Sequence, residues 1–269
     1  MEFIGKKLPL EKASEMRVCP VGSVRPFVPL PAPLYILLLG NEKFLAVKGP
    51  LDFLAPAELE RFRSVENFFY PPFIREVLPF REAGRALGRV LVAAASGSGV
   101  RPAPFEISDA FLRLTARLWS PDVRVEPFFI SVFVTELCGP LPSTVAVQAR
   151  EADLARYEQA VLKSAWAVWQ ALHLGYLDVD RIRALRDGVF GAVALGTEFR
   201  PPAAVEGLRP ILLGGDLPLR GMALQEFSEG AASLKLEARA GRLARDLVTA
   251  NHAAPSIGGS SGFHPEVAA

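Results

Sequence analysis

The stretch Arg150–Gly175 constrains this chain more than any other. Leu154, Tyr157, Val161, Ala165, Val168 and Leu172 recur at helical spacing and form one apolar stripe. Leu162, Trp166 and Trp169 widen that stripe until little of the segment after Lys163 is polar. A helix apolar around most of its girth must be enclosed by other elements. The pattern therefore predicts the central helix of a helical domain, closed at Gly175 as a natural C′ residue.

The remaining length allows such an enclosure. At 269 residues the chain suits one large or two modest domains, and with 50% hydrophobic and 22% charged residues it can bury a sizeable core. The formal net charge is +1, with 14 Lys+Arg against 10 Asp+Glu up to Pro104 and 16 against 19 beyond it. Neither half carries the basic excess that phosphate-backbone binding needs, so nucleic acid is not an expected partner. Cys19 and Cys138 are too few and too far apart for a disulfide framework, which suggests reduced thiols in a cytoplasmic protein. The opening MEFIGKKLPLEKASEM shows no apolar signal core. The greasiest runs, Phe27–Leu39 and Phe128–Leu137, fall short of the ~20 residues of a membrane span. A soluble protein is expected.

Strand signals gather before Pro104. Met16–Pro20 reads as a short strand, and the four prolines of Val24–Pro33 predict an extended, poorly hydrogen-bonded path. Leu34–Leu39 and Lys43–Lys48 flank Gly40-Asn41 as a hairpin, with Phe44 and Ala46 on one face and Leu45 and Val47 on the other. Pro56 opens a short helix with Leu59 and Phe62 inward, Asn67–Tyr70 returns as a strand, and Phe80–Ala95 is helical. Ser96-Gly97-Ser98-Gly99, with Pro102 and Pro104, marks a linker. Helices dominate after it, over Glu106–Leu118 and within Asp122–Leu137, where β-branched residues leave helix and strand in competition and the helical neighbours favour helix. Asp178 or Asp180 caps the next helix, which turns Ile182, Leu185, Val189, Phe190 and Val193 inward. A last helix runs from Asp216 to about Ala250 before a Gly- and Ser-rich tail. Together these signals predict an α+β protein: a small β-containing domain over 1–95, a linker over 96–104, a helical domain over 105–250 and a flexible tail over 251–269.

Residues able to do chemistry are scarce. Of three histidines, His252 and His264 lie in or near the tail, and His173 ends the central helix, where an imidazolium would meet the negative end of the helix dipole. His173 with Asp178 and Asp180 is the one candidate acid–base or metal group, but its spacing fits no tight ligand set. No Gly-x-Ser-x-Gly and no phosphate loop occurs. Arg181, Arg183 and Arg186 cluster on one predicted helix, and Arg239, Arg242 and Arg245 on another; either set could clamp a phosphate or carboxylate. Acids beside both sets also suit a solvated salt-bridged face. The candidate ligand-binding residues are thus His173, Asp178, Arg181, Arg183 and Arg186, with no catalytic residue, metal or cofactor expected.

From Val24 to Ile74 the chain resembles the small accessory domain that precedes HD-GYP signalling domains in bacteria. The resemblance rests on Arg25-Pro26 leading to Leu34-Tyr35-Ile36, the hairpin to Gly49, Asp52, the helix bearing Leu59, and Phe68-Phe69-Tyr70 as a closing strand. It implies a following helical domain with a His-Asp motif, metal-binding histidines and a Gly-Tyr-Pro signature for cyclic-dinucleotide hydrolysis. No histidine precedes His173, and Gly175-Tyr176-Leu177 departs from that signature. The expectation is a degenerate domain in a non-catalytic signalling or interaction protein with a protein partner. A metal-dependent phosphohydrolase or cyclic-dinucleotide sensor with a site near His173 is the alternative.

Overall fold

The computed structural model describes residues 7–9, 15–41, 43–96, 127–173 and 178–199. Its first part is a five-stranded antiparallel sheet built from β1 (Lys7–Pro9), β2 (Arg17–Pro20), β3 (Leu34–Leu38), β4 (Lys43–Lys48) and β5 (Asn67–Tyr70), in the order β1-β4-β3-β5-β2. The predicted hairpin is β3–β4, turned by a short 3-10 segment at Leu39–Asn41, with a register shift at Leu34/Tyr35. Period-2 alternation along β4 buries Phe44, Ala46 and Lys48. A lysine on the core face must find acids, and that requirement shapes the loop that follows.

The proline-rich path from Val24 runs beside that loop. Phe27 N–H donates to Leu54 O, Leu30 N–H to Asp52 O and Leu51 N–H to Leu30 O, at 2.7–3.1 Å. Phe27 and Leu51 adopt positive φ (58° and 63°), a conformation that costs an L-residue on the order of 1 kcal/mol or more. Both are tied down by long-range bonds: Leu141 N–H donates to Phe27 O, and the Tyr157 hydroxyl donates to Leu51 O at 2.9 Å.

Six helices complete the described chain: α1 (Pro56–Arg61), α2 (Ile74–Ser96), α3 (Pro127–Cys138), α4 (Ser143–Ala152), α5 (Leu154–His173) and α6 (Val179–Leu195). The protein is α+β, a small sheet followed by helices, as predicted. Helix α3 settles the helix–strand competition: a fully buried position rewards apolar residues on every side and so overrides β-branched propensity. Two boundaries differ from the sequence reading. Helix α2 begins six residues before Phe80 and contains Pro79; burial of Ile74, Val77 and Phe80 offsets the lost backbone bond. The central helix begins at Leu154, because Asp153 takes an extended conformation and its carboxylate accepts from Arg156 N–H at 3.1 Å. Arg150 therefore belongs to a separate helix, α4.

Helix α5 is enclosed as its composition demands, with Tyr157, Leu162, Trp166, Val168 and Trp169 fully buried. One apolar cluster joins sheet-side residues such as Leu34, Phe53 and Phe68 to Phe133, Trp166 and Phe190 of the helices. Phe80 stacks on Phe129 (4.6 Å), and Phe133 meets Trp169 edge-to-face (5.1 Å). Ser96, the first residue of the predicted linker over 96–104, closes α2 instead; the rest of that linker, the helix Glu106–Leu118, Gly175, the last long helix and the tail lie outside the described residues. No helix among those described is long and apolar enough to cross a membrane.

Candidate functional site

Glycines set the geometry of the site. On α2 the run Arg81-Glu-Ala-Gly84-Arg85-Ala-Leu-Gly88-Arg89 repeats every four residues, so arginines and glycines each form a row along the helix. A β-carbon at Gly84 would stand 2.3 Å from Phe133 O, and one at Gly88 3.6 Å from Leu137 O. The lack of a side chain at Gly84 is what lets α2 press against α3. Every residue of α3 except Glu136 is buried. Close approach of the two helices then brings the arginine row to Glu136.

Three arginines from two segments grip that carboxylate. Arg81 Nε donates to Glu136 Oε1 at 2.9 Å, Arg85 Nε to Oε2 at 2.8 Å and its terminal nitrogen to Oε1 at 3.2 Å, and Arg25 to Oε2 at 3.0 Å. The Glu136 side chain is left 6% exposed, while those of Arg25 and Arg85 stay about half exposed. Burial pushes the Glu136 carboxyl up, but the Arg85 hydrogen bond and the Arg81 charge outweigh it and hold the group below the usual range. An ionised carboxylate so held is a poor proton acceptor. Its guanidinium partners have five N–H donors each, so four contacts leave most of their donors unused by Glu136.

Two adjoining hollows open on this cluster. The inner one, about 150 Å³, is lined by Arg25, Arg81 and Arg85 with the hydroxyl residues Ser23 and Thr135, beside Cys19 and Tyr70. Burial first, then the neighbouring Cys19, pushes the Tyr70 hydroxyl far up, so it stays a neutral donor. The outer hollow, about 890 Å³, adds Arg89 and Arg183 to Arg25 and Arg85, with Gly88, Val92, Leu137 and Pro140 as its apolar wall. Five arginines thus face one carboxylate among the described lining residues. Arg89 is exposed and, among the described residues, makes no ion pair.

The residues singled out from sequence divide between this cleft and the helix ends. Asp178 is the N-cap of α6, its carboxylate accepting from Asp180 N–H (2.9 Å) and Arg181 N–H (3.0 Å). Arg186, buried, donates to Gly139 O and Pro140 O, both at 2.7 Å, and to the Asp187 carboxylate. Arg183 Nε donates to Cys138 O at 3.2 Å and lines the outer hollow. These two cations cap the carbonyl end of α3, where the helix dipole favours positive charge. Arg181 is exposed. His173 is the last residue of α5, and its side chain lies outside the described residues, as do Arg239, Arg242 and Arg245. Among the described residues no three His, Cys, Asp or Glu side chains gather as a metal site. Burial raises the Cys138 thiol to about 11, consistent with an inert packed residue. The sequence reading passed over Arg81, Arg85, Arg89 and Glu136; the four-residue arginine repeat was the available signal.

A second charged cluster lines neither of these hollows. Lys48 Nζ lies 3.2 Å from Asp52 and 2.7 Å from Glu58, and Arg150 lies 3.3 and 3.2 Å from the same two carboxylates. Arg150 also donates to Phe53 O and stacks 4.3 Å over the Phe53 ring. Burial pushes the Glu58 carboxyl up, but the Ala55 N–H, Lys48 and Arg150 together hold it below its usual range. Two cations and two anions close on one another here.

Comparison with known proteins finds no matching family model, no matching curated protein and no matching solved structure.

Proposed function

We propose that this chain is a non-catalytic interaction protein whose arginine-lined cleft receives an anionic group of its partner. The observation that carries the reading is the surplus of guanidinium donors around Glu136, on a cleft of the size that holds ligands. Arginine forks suit carboxylate and phosphate bidentately, and two of them are already ordered by Glu136, so little side-chain freedom is left to lose on binding. A signalling setting belongs to the same proposal, supported by the resemblance of the sheet region and by the order of small sheet followed by helices.

Thermal unfolding with tripolyphosphate, acetate-capped acidic peptide or chloride at matched ionic strength tests the reading. The first two should raise Tm where chloride does not, and Arg89→Glu should abolish the rise. Equal Tm values in all three would sink it. Cyclic dinucleotides belong in the same screen, with and without added Mn²⁺. A shift that requires the metal would favour the alternative hydrolase or sensor near His173.

A further inference from the structure

The cleft's arginines have a spacing as well as a sign. Arg81, Arg85 and Arg89 succeed one another by four residues, so each step advances about 6 Å along α2. Glu136 sits at the first step, bridged between Arg81 and Arg85. It shows how this row takes hold of a carboxylate: one Nε–H to each oxygen, with a terminal N–H in support. At the second step Arg85 keeps terminal N–H groups that Glu136 does not use, Arg89 makes no ion pair among the described residues, and Arg25 and Arg183 flank the pair from other elements.

Resting on the anion-binding reading above, we infer that the occupant is an acidic peptide segment of a partner protein, with carboxylates at alternate residues, laid along α2. An extended chain advances about 3.3 Å per residue, so side chains two apart share a face at about 6.6 Å, close to the arginine step. Adjacent acids would point to opposite faces and could not both reach the row. The outer hollow is shallow, with Val92 46% exposed on its rim, which suits a continuous chain better than an engulfed small molecule. No aromatic side chain lines it among the described residues, so a nucleobase would find no ring to stack on. Charge complementarity chooses the partner chemistry, and the Glu136 contact shows this row already holding a carboxylate.

Two fluorescent twelve-residue peptides of identical composition test this on the full chain: six Glu-Gly repeats, and three Glu-Glu-Gly-Gly repeats. In the second, same-face carboxylates lie about 13 Å apart. Fluorescence anisotropy at ~0.15 M salt should show the alternating peptide binding at least threefold tighter. Arg89→Glu should weaken it tenfold or more, whereas Arg63→Glu, an equal charge change at an exposed residue outside the cleft, should leave it within twofold. Equal binding of the two peptides, or equal losses in the two variants, overturns the inference. Tripolyphosphate binding that depends on Arg89, with neither peptide bound, would overturn the peptide while the anion-binding reading survives. Failure of every anion to bind would end both.

Discussion

The two charged clusters differ in balance, and the difference separates a fastening from a binding surface. Around Asp52 and Glu58, two acids meet two bases, all with side chains at most 24% exposed, and the guanidinium of Arg150 is further consumed by a carbonyl and a ring. Around Glu136, one acid meets three bases, two of them about half exposed on a cleft. Buried charge must be neutralised where it stands, so a balanced set closes on itself and ties sheet to helix. An unbalanced set at a surface keeps donors to offer. Arg150 reaches acids more than ninety residues earlier in the chain, and Arg25 reaches one 111 residues later. Both clusters are thus products of the same long-range packing, put to different uses.

The sharpest test of that contrast removes one cation from each side. Arg150→Ala leaves Asp52 and Glu58 with Lys48 alone and should cost about 3–5 kcal/mol in urea unfolding, the range for breaking a buried pair. Arg25→Ala, from a half-exposed side chain, should cost about 1 kcal/mol or less. Similar losses would erase the distinction between fastening and surface. Next in size is the helix contact that builds the cleft. Gly84→Ala places a β-carbon against the Phe133 carbonyl and should cost about 1–3 kcal/mol, despite the better helix propensity of alanine. Gly88→Ala meets nothing closer than ordinary contact and should be neutral or stabilising by up to about 1 kcal/mol.

The acid side of the pH profile sharpens the comparison further. Glu58 and Glu136 have carboxyls held below their ordinary value of 4.5, so the stability they bring is present above that pH and is lost as pH falls through their folded values. Wild-type protein should lose stability below about pH 4.5, and Glu136→Gln should lose less of it over that interval. Smallest is the effect at Glu158, a partly buried acid on α5. Burial first, then the charge of Asp52, raises it to about 7. The folded state then binds more protons than the unfolded one between 4.5 and about 7, so stability falls as pH rises through that window. Chemical denaturation at pH 5 and pH 8 should show a steeper loss for wild type than for Glu158→Gln.

Much of the architecture could be read from residue order. Period-2 alternation over Lys43–Lys48, the helical stripe through Tyr157 and Trp169 and the cap at Asp178 depend on neighbours a few residues away, and each appears in the structure. Two helix boundaries did not follow from local signals. Pro79 normally ends a helix, and only burial of the flanking Ile74, Val77 and Phe80 makes its cost tolerable. The break at Asp153 depends on a side chain turning back to cap rather than continuing the turn. The arginines on α6 were visible in the chain, but their acceptors, the carbonyls of Cys138, Gly139 and Pro140, lie more than forty residues away.

Local pattern alone therefore decided which segments would be strands or helices and which faces had to be hidden, because backbone preference and hydrophobic period act over a few residues. Which charges would meet was decided in three dimensions. A guanidinium at Arg25, Arg81 or Arg85 has the same chemistry wherever it lies in the chain. It becomes part of a site when a glycine at position 84 lets two helices touch and sets a single carboxylate among three of them.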